Sequence, residues 1–224
     1  MSQQRSRIGP AAAISGAVLV LVGTYWHPSA ANPNQPVAAF TEYAANEPWV
    51  AIHLLQLVGV VLIMAALVLL GRSMERGPAA EWAAVGMTGA TASIALYGAL
   101  QAVDGVALKA MVDLWAATPA AEKAQAFQAA LAVRHIEIGL ASVNGLLIGL
   151  TAALYGVALL IDDRVPRWMG ALAIAGGIPT AAAGAVIAYA GFSDLALTIN
   201  LVANMLLVVW MAALGLDAWR RLTF

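Results

Sequence analysis

Six apolar stretches, each near the ~20 residues that a bilayer crossing requires, alternate along the chain with short polar or Pro-rich breaks. They run approximately over residues 8–26, 50–70, 82–103, 135–161, 168–190 and 195–216, and the breaks include HPSAANPNQP, GRSMERGP, DDRVPR and GFSD. The expected fold class is all-α, a polytopic transmembrane bundle of six helices. It forms a single integral membrane domain over 1–224, with no length left for a separate soluble domain. Arg5 and Arg7 ahead of the first stretch, then Ser29-Ala30-Ala31 after it, resemble a cleavable signal peptide. We read the stretch as a retained first helix.

One connection does not fit a plain loop. GVALKAMVDLWAATPAAEKAQAFQAALAV, between the third and fourth spans, is too polar to cross a membrane and too apolar to be fully solvated. Val106, Met111, Leu114 and Trp115 make an apolar side, whereas Lys109 and Asp113 fall four apart on another. The segment is expected either to lie as an interfacial amphipathic helix or to continue the third helix to a length of roughly 50 Å at 1.5 Å per residue. Thr118-Pro119 then makes the turn, with Thr118 capping a helix that starts near Ala120. Either arrangement places a structured lid at that end.

Basic residues set the expected orientation, because cytoplasmic loops retain Lys and Arg. Arg5, Arg7, Arg72, Arg76, Arg164, Arg167, Arg220 and Arg221 share one set of ends, and Lys109, Lys123 and Arg134 the other. Both termini are therefore expected on the cytoplasmic side of an inner membrane. The connections 27–48 and 104–134 then face the periplasm or cell exterior. Tyr25, Trp26, Trp49, Trp82, Trp168 and Trp219 sit near span boundaries, as an aromatic belt would.

Composition sharpens this picture mainly by exclusion. Sixty-two per cent of the 224 residues are hydrophobic and 10% charged, against about a quarter charged in soluble domains. A net charge of −1 offers no field for nucleic acid. The absence of cysteine excludes disulfides, thiolate catalysis and Cys-ligated zinc or iron–sulfur centres. No phosphate-binding glycine loop, HExxH helix or GxSxG elbow is present.

The candidate chemistry lies in polar clusters at one level of the spans. An ionisable group inside a span is costly unless paired and so signals function. Glu137, Asn144 and Thr151 recur every seven residues on one helix face, which should point into the bundle. Arg134, three residues before Glu137, is placed to pair with it. On the third span Tyr97, Gln101 and Asp104 share a face, and His53 and Gln56 do so on the second. Asn200 and Asn204, four apart on the sixth, would extend the polar interior. His27, ahead of Pro28, is expected to end the first helix, and Asp194 to cap the sixth. Pro179 is expected to kink the fifth, and Gly145 and Gly149 to mark close helix packing. His135 lies about 160° around its helix from Glu137, so those two residues cannot point into one pocket.

Each of these residue types also has a plain reading: an Arg–Glu pair with Asn and Thr as interhelical glue, a solvated Asp at a helix end, a surface Lys–Asp pair. The functional readings are three. In the first, a membrane-embedded enzyme carries out isomerisation, cyclisation or hydrolysis on a lipophilic small molecule and requires no cofactor. Glu137 and Asp104 are its acid and base, with Arg134, Lys109 and Asp113 as charged helpers. His53, Gln56, Tyr97, Gln101, Asn144, Thr151, Asn200 and Asn204 line the pocket. In the second, a redox protein holds haem or a metal between His53 and His135. In the third, the chain is a ligand-binding, transport or accessory subunit, as a homo-oligomer or within a larger membrane complex. Convergence of Glu137, Asp104, Arg134 and His53 within hydrogen-bonding distance around one cavity would favour chemistry, whereas separate pairs facing different interfaces would favour scaffolding.

Overall fold

A computed structural model describes residues 7–74 and 76–221. The regular elements of the described residues are all helices, with no strand. Eight α-helices follow one another: α1 (Ile8–Trp26), α2 (Pro36–Ala45), α3 (Trp49–Ser73), α4 (Pro78–Gln101), α5 (Lys109–Ala117), α6 (Lys123–Ile161), α7 (Arg167–Ala190) and α8 (Asp194–Arg220). A π-helical segment, Ala102–Leu108, joins α4 to α5 without a break. Six helices are long and apolar enough to cross a membrane, counting Pro78–Ala117 as one.

The spanning helices pack in the cyclic order α1, α3, α4, α6, α7, α8 and back to α1. The ring is filled at the end where α3 finishes and α4 begins. Ala13, Val60, Leu67, Ala90, Tyr155, Leu159, Trp210 and Met211 form one apolar core there. Small residues let α6 and α7 touch backbone to backbone. A methyl group on Gly170, Gly177 or Gly184 would meet the carbonyl oxygen of Gly156, Gly149 or Ser142 at 2.7, 2.6 or 2.7 Å. These contacts repeat every seven residues along both helices, and Gly145 and Gly149 pack where the sequence placed them. Side-chain hydrogen bonds reinforce the loops at this end: Arg164 grips the Asp162 carboxylate, and its Nη1 donates to Ser73 O at 3.1 Å. These bonds hold the Asp162 carboxyl below its ordinary value of 3.8, despite an opposing effect of burial.

At the opposite end two helices are longer than a membrane crossing needs. The α4-to-α5 rod is 40 residues long and α6 is 39, about 60 Å each at 1.5 Å per residue against a hydrocarbon core of ~30 Å. Their projecting ends, with α2, enclose a second apolar cluster of Phe40, Tyr43, Trp49, Leu108, Val112, Trp115 and Ala130. The third helix therefore continues, which was the second of the two expected arrangements.

Several local expectations change. Residues 27–48 are not simply a connection, since α2 starts at Pro36 and buries Ala39, Phe40 and Tyr43. Proline at a first helical position loses no internal bond, so it starts a helix here as readily as it punctuates a loop. Thr118 does not cap α6; its hydroxyl donates back to Leu114 O at 2.7 Å, and Glu122 holds the N-cap position. At α8 the cap is Ser193, whose hydroxyl accepts from Ala196 N, and Asp194 lies in the first turn. Helix α7 passes through Pro179 as one element. Tyr25, Trp26, Trp82 and Trp168 are exposed at helix ends, but Trp49 is buried.

Candidate functional site

Four elements bring ionisable groups together between the two apolar clusters. His53 lies one turn into α3, and its Nδ1 sits 2.7 Å from Trp49 O, the carbonyl four residues back. A carbonyl only accepts, so Nδ1 carries the proton. Across the gap, His53 Nε2 meets Asp104 Oδ2 at 3.2 Å. Asp104 comes from the π-helical segment, a rare geometry concentrated at functional sites, and its carbonyl accepts from Trp49 Nε1 at 3.0 Å. Gly105, the next residue, is where His53 presses against that segment: a methyl group there would sit 2.6 Å from His53 Cβ.

His27 completes this side. It follows α1 directly, and its ring lies 5.1 Å from that of His53 and 5.1 Å from that of Trp49, centre to centre. Its Nδ1 also faces a backbone carbonyl, Pro28 O, at 2.8 Å. Burial holds His27 below the ordinary imidazole value of 6.5; His53 adds to the effect and Asp104 opposes it. The turn carrying His27 is fixed by Glu42 of α2, whose two oxygens accept from Ala30 N at 2.9 Å and Ala31 N at 2.8 Å.

The second pair comes from α6. Arg134 Nη1 donates to Glu137 Oε2 at 2.5 Å, and both side chains are 5% exposed or less. Arg134 Nη2 donates to Pro33 O at 3.2 Å. Its guanidinium lies over Tyr43 at 5.6 Å and Phe192 at 4.8 Å, so aromatic faces replace part of the water it has lost. The two pairs share one neighbourhood. Asp104 lies within electrostatic reach of both Arg134 and Glu137. Burial pushes the Tyr43 phenol up to about 12, and Arg134, Glu137 and Asp104 all act on it. His53 with Asp104 and Arg134 with Glu137 thus form two separate pairs within electrostatic reach of each other, and no hydrogen bond joins one pair to the other among the described residues.

Further along the interior the polar stripe is real: Glu137, Asn144 and Thr151 are 3%, 6% and 1% exposed. Gln101 is buried as well, with half-buried Tyr97 one turn away. Buried atoms without a hydrogen-bond partner gather here: Gln101 Oε1, Asp104 Oδ1, Arg134 Nε, Asn144 Oδ1 and Thr151 Oγ1. A folded interior rarely leaves such atoms unsatisfied; Asn46 Oδ1, Ser93 Oγ and Trp210 Nε1 are buried without a partner as well. Gln56 is half-buried at the α1–α3 contact, its Cγ against Gly23.

Other expected site residues lie elsewhere. His135 is exposed, on the face of α6 turned away from Glu137, so the imidazole beside His53 is that of His27 and a haem clamped by His53 and His135 has no geometric basis. Lys109 donates to Ala44 O at 3.1 Å and to Asp113 at 2.5 Å, which fastens α5 to the end of α2 rather than entering the cluster. Asn204 is exposed, and its amide donates to Asn200 Oδ1 at 3.1 Å. That pair lies on the outside of α8 and not in the polar interior. Conversely, His27, Tyr43, Trp49 and Phe192 shape the site without having been picked out as part of it. The signal for His27 was its level, which it shares with His53. Tyr43 was hidden by the misread connection.

No family model, no curated protein and no solved structure matches the chain. The functional argument therefore starts from the cluster itself.

Proposed function

We propose that the chain is a membrane-embedded enzyme that moves a proton on a lipophilic small molecule. The observation that carries this reading is the burial of two ion pairs, His53–Asp104 and Arg134–Glu137, within electrostatic reach of one another, drawn from α3, the π-helical segment and α6, beside buried polar atoms that lack partners. Burying charge is expensive and a scaffold needs none of it. Glu137 is the proton-transfer group. Arg134 offsets negative charge that develops on the substrate, and Gln101 and Asn144 bind its polar part. Isomerisation or cyclisation suits this set, because the proton that Glu137 removes is returned at another atom and no co-reactant is consumed; hydrolysis would add one water. The substrate is lipophilic because apolar clusters close both ends of the site and the outer faces of α3 and α6 present Leu54, Val58, Ile136 and Val143. With the basic loops on the cytoplasmic side, the site lies toward the periplasm or exterior of an inner membrane.

The test uses the full chain in lipid nanodiscs, incubated with a total apolar extract of its source cells and followed by mass spectrometry. One apolar species should be converted to a product of equal mass, or of one added water, by the wild type. Glu137→Gln should slow conversion at least a hundredfold while the melting profile and particle size stay unchanged. Equal turnover in wild type and Glu137→Gln overturns the reading, as does an extract left unaltered by both.

A further inference from the structure

Two imidazoles and a carboxylate face one another beside the proposed proton-transfer pair, and the geometry points to a binding site for one divalent first-row transition metal, of the zinc or ferrous iron class, at His27, His53 and Asp104. One ligand atom from each residue lies within 4.8 Å of the other two. The argument begins with the ring protons. Both Nδ1 atoms face backbone carbonyls, Pro28 O at 2.8 Å and Trp49 O at 2.7 Å. Each neutral ring therefore keeps its proton on Nδ1 and offers a bare lone pair at Nε2. That is how metal-bound histidines are held: the second nitrogen donates to a carbonyl or carboxylate, which fixes the tautomer and turns the other toward the ion.

At His53 the consequence is direct. Its Nε2 lone pair faces a carboxylate oxygen at 3.2 Å, and two acceptors at that distance require a positive centre between them. Ligand bonds of 2.0–2.1 Å at angles between octahedral and tetrahedral separate neighbouring ligand atoms by roughly 2.9–3.4 Å, and the His53–Asp104 spacing lies inside that range. A proton on His53 would also satisfy this one contact. It would give no part to His27, whose ring is tied to a carbonyl in the same manner and stands 5.1 Å from that of His53. An ion uses all three residues.

The donor set selects the class of metal. Imidazole and carboxylate without sulfur suit zinc, iron, manganese, cobalt, nickel and copper, whereas calcium and magnesium demand mostly oxygen ligands. Three protein ligands leave a coordination position open, as catalytic sites do. The placement also explains local structure: the π-helical segment turns Asp104 toward α3, and the lack of a side chain at Gly105 lets His53 come close.

The site stands apart from the proton-transfer reading, since an ion can be held here whatever Glu137 does. The test uses the full-length protein carrying no polyhistidine tag, stripped with chelator in detergent. Co²⁺ is titrated against its visible absorption, and bound Zn²⁺ is counted by elemental analysis after equilibrium dialysis. The wild type should bind one ion per chain, with a cobalt spectrum of nitrogen and oxygen ligation and a raised melting temperature under Zn²⁺. His27→Gln, His53→Gln and Asp104→Asn should each weaken binding tenfold or more. His135→Gln and Glu137→Gln should bind as the wild type does, so loss of turnover in Glu137→Gln with the ion retained separates the two proposals. Should His53→Gln fail to fold, half-buried His27 at the end of α1 carries the test. Absence of stoichiometric binding overturns the site. So does binding that survives both His27→Gln and Asp104→Asn, or that His135→Gln abolishes equally.

Discussion

Gly105 lies directly under His53, with room for a hydrogen but not for a methyl group, which would come within 2.6 Å of His53 Cβ. The closeness of α3 to the π-helical segment, and with it the His53–Asp104 contact, depends on that missing side chain. Gly105→Ala should push the two elements apart and cost about 1–3 kcal/mol, the usual penalty of overpacking. Gly98→Ala, seven residues earlier where nothing lies within 4 Å, should be neutral or stabilising by up to about 1 kcal/mol. Thermal unfolding of the two variants in one detergent checks the contrast; equal melting temperatures would show that His53 does not set this spacing.

Arg134 and Glu137 are each other's main compensation for burial. Arg134→Met should therefore leave an uncompensated carboxylate and destabilise by about 3–5 kcal/mol. Adding Glu137→Gln to that variant should recover much of the loss, because a neutral amide is cheaper to bury. A double-mutant cycle on denaturant midpoints measures the coupling, and additive effects would contradict the paired geometry.

Helices α6 and α7 meet at glycine with no space to spare. Gly177→Ala places a methyl group 2.6 Å from Gly149 O and should destabilise by about 1–3 kcal/mol. Gly139→Ala, on α6 but facing open space, should leave the melting temperature within a degree or two.

Asp162 gives a pH dependence remote from the site. Its carboxyl is held below 3.8 chiefly by hydrogen bonds from Arg164. A group whose folded value is depressed contributes stability that is complete above its unfolded value and is lost as pH falls through the folded one. Wild type should thus melt higher than Asp162→Asn at pH 6, and the gap should close as pH falls below 3.8. A gap independent of pH would mean that the pair with Arg164 contributes nothing.

Hydropathy exposed the six spans because the bilayer rule is strict: every backbone polar group must be satisfied within the helix, and apolar length follows. The rule is silent past the membrane, and there the reading faltered, missing α2 and giving Thr118 the capping position that Glu122 holds. Seven-residue spacing put Glu137, Asn144 and Thr151 on a buried face because a regular helix is a fixed ruler. The same ruler fails at Asp104, where the π-helical segment changes the turn. His27 could not be joined to His53 by periodicity at all. That contact links the end of α1 to the start of α3 through a turn shaped by Glu42, and only the folded chain supplies it.

The contacts Ser142 with Gly184, Gly149 with Gly177 and Gly156 with Gly170 behave like teeth of equal pitch. One helix can slide past the other and mesh again only after a whole repeat, about 10 Å of travel, because smaller slips drive carbonyl oxygens into Cα atoms. The depth of Arg134 and Glu137 relative to α7 is therefore indexed rather than adjustable. Asp104 has no such index: it rides on the widened turn between α4 and α5.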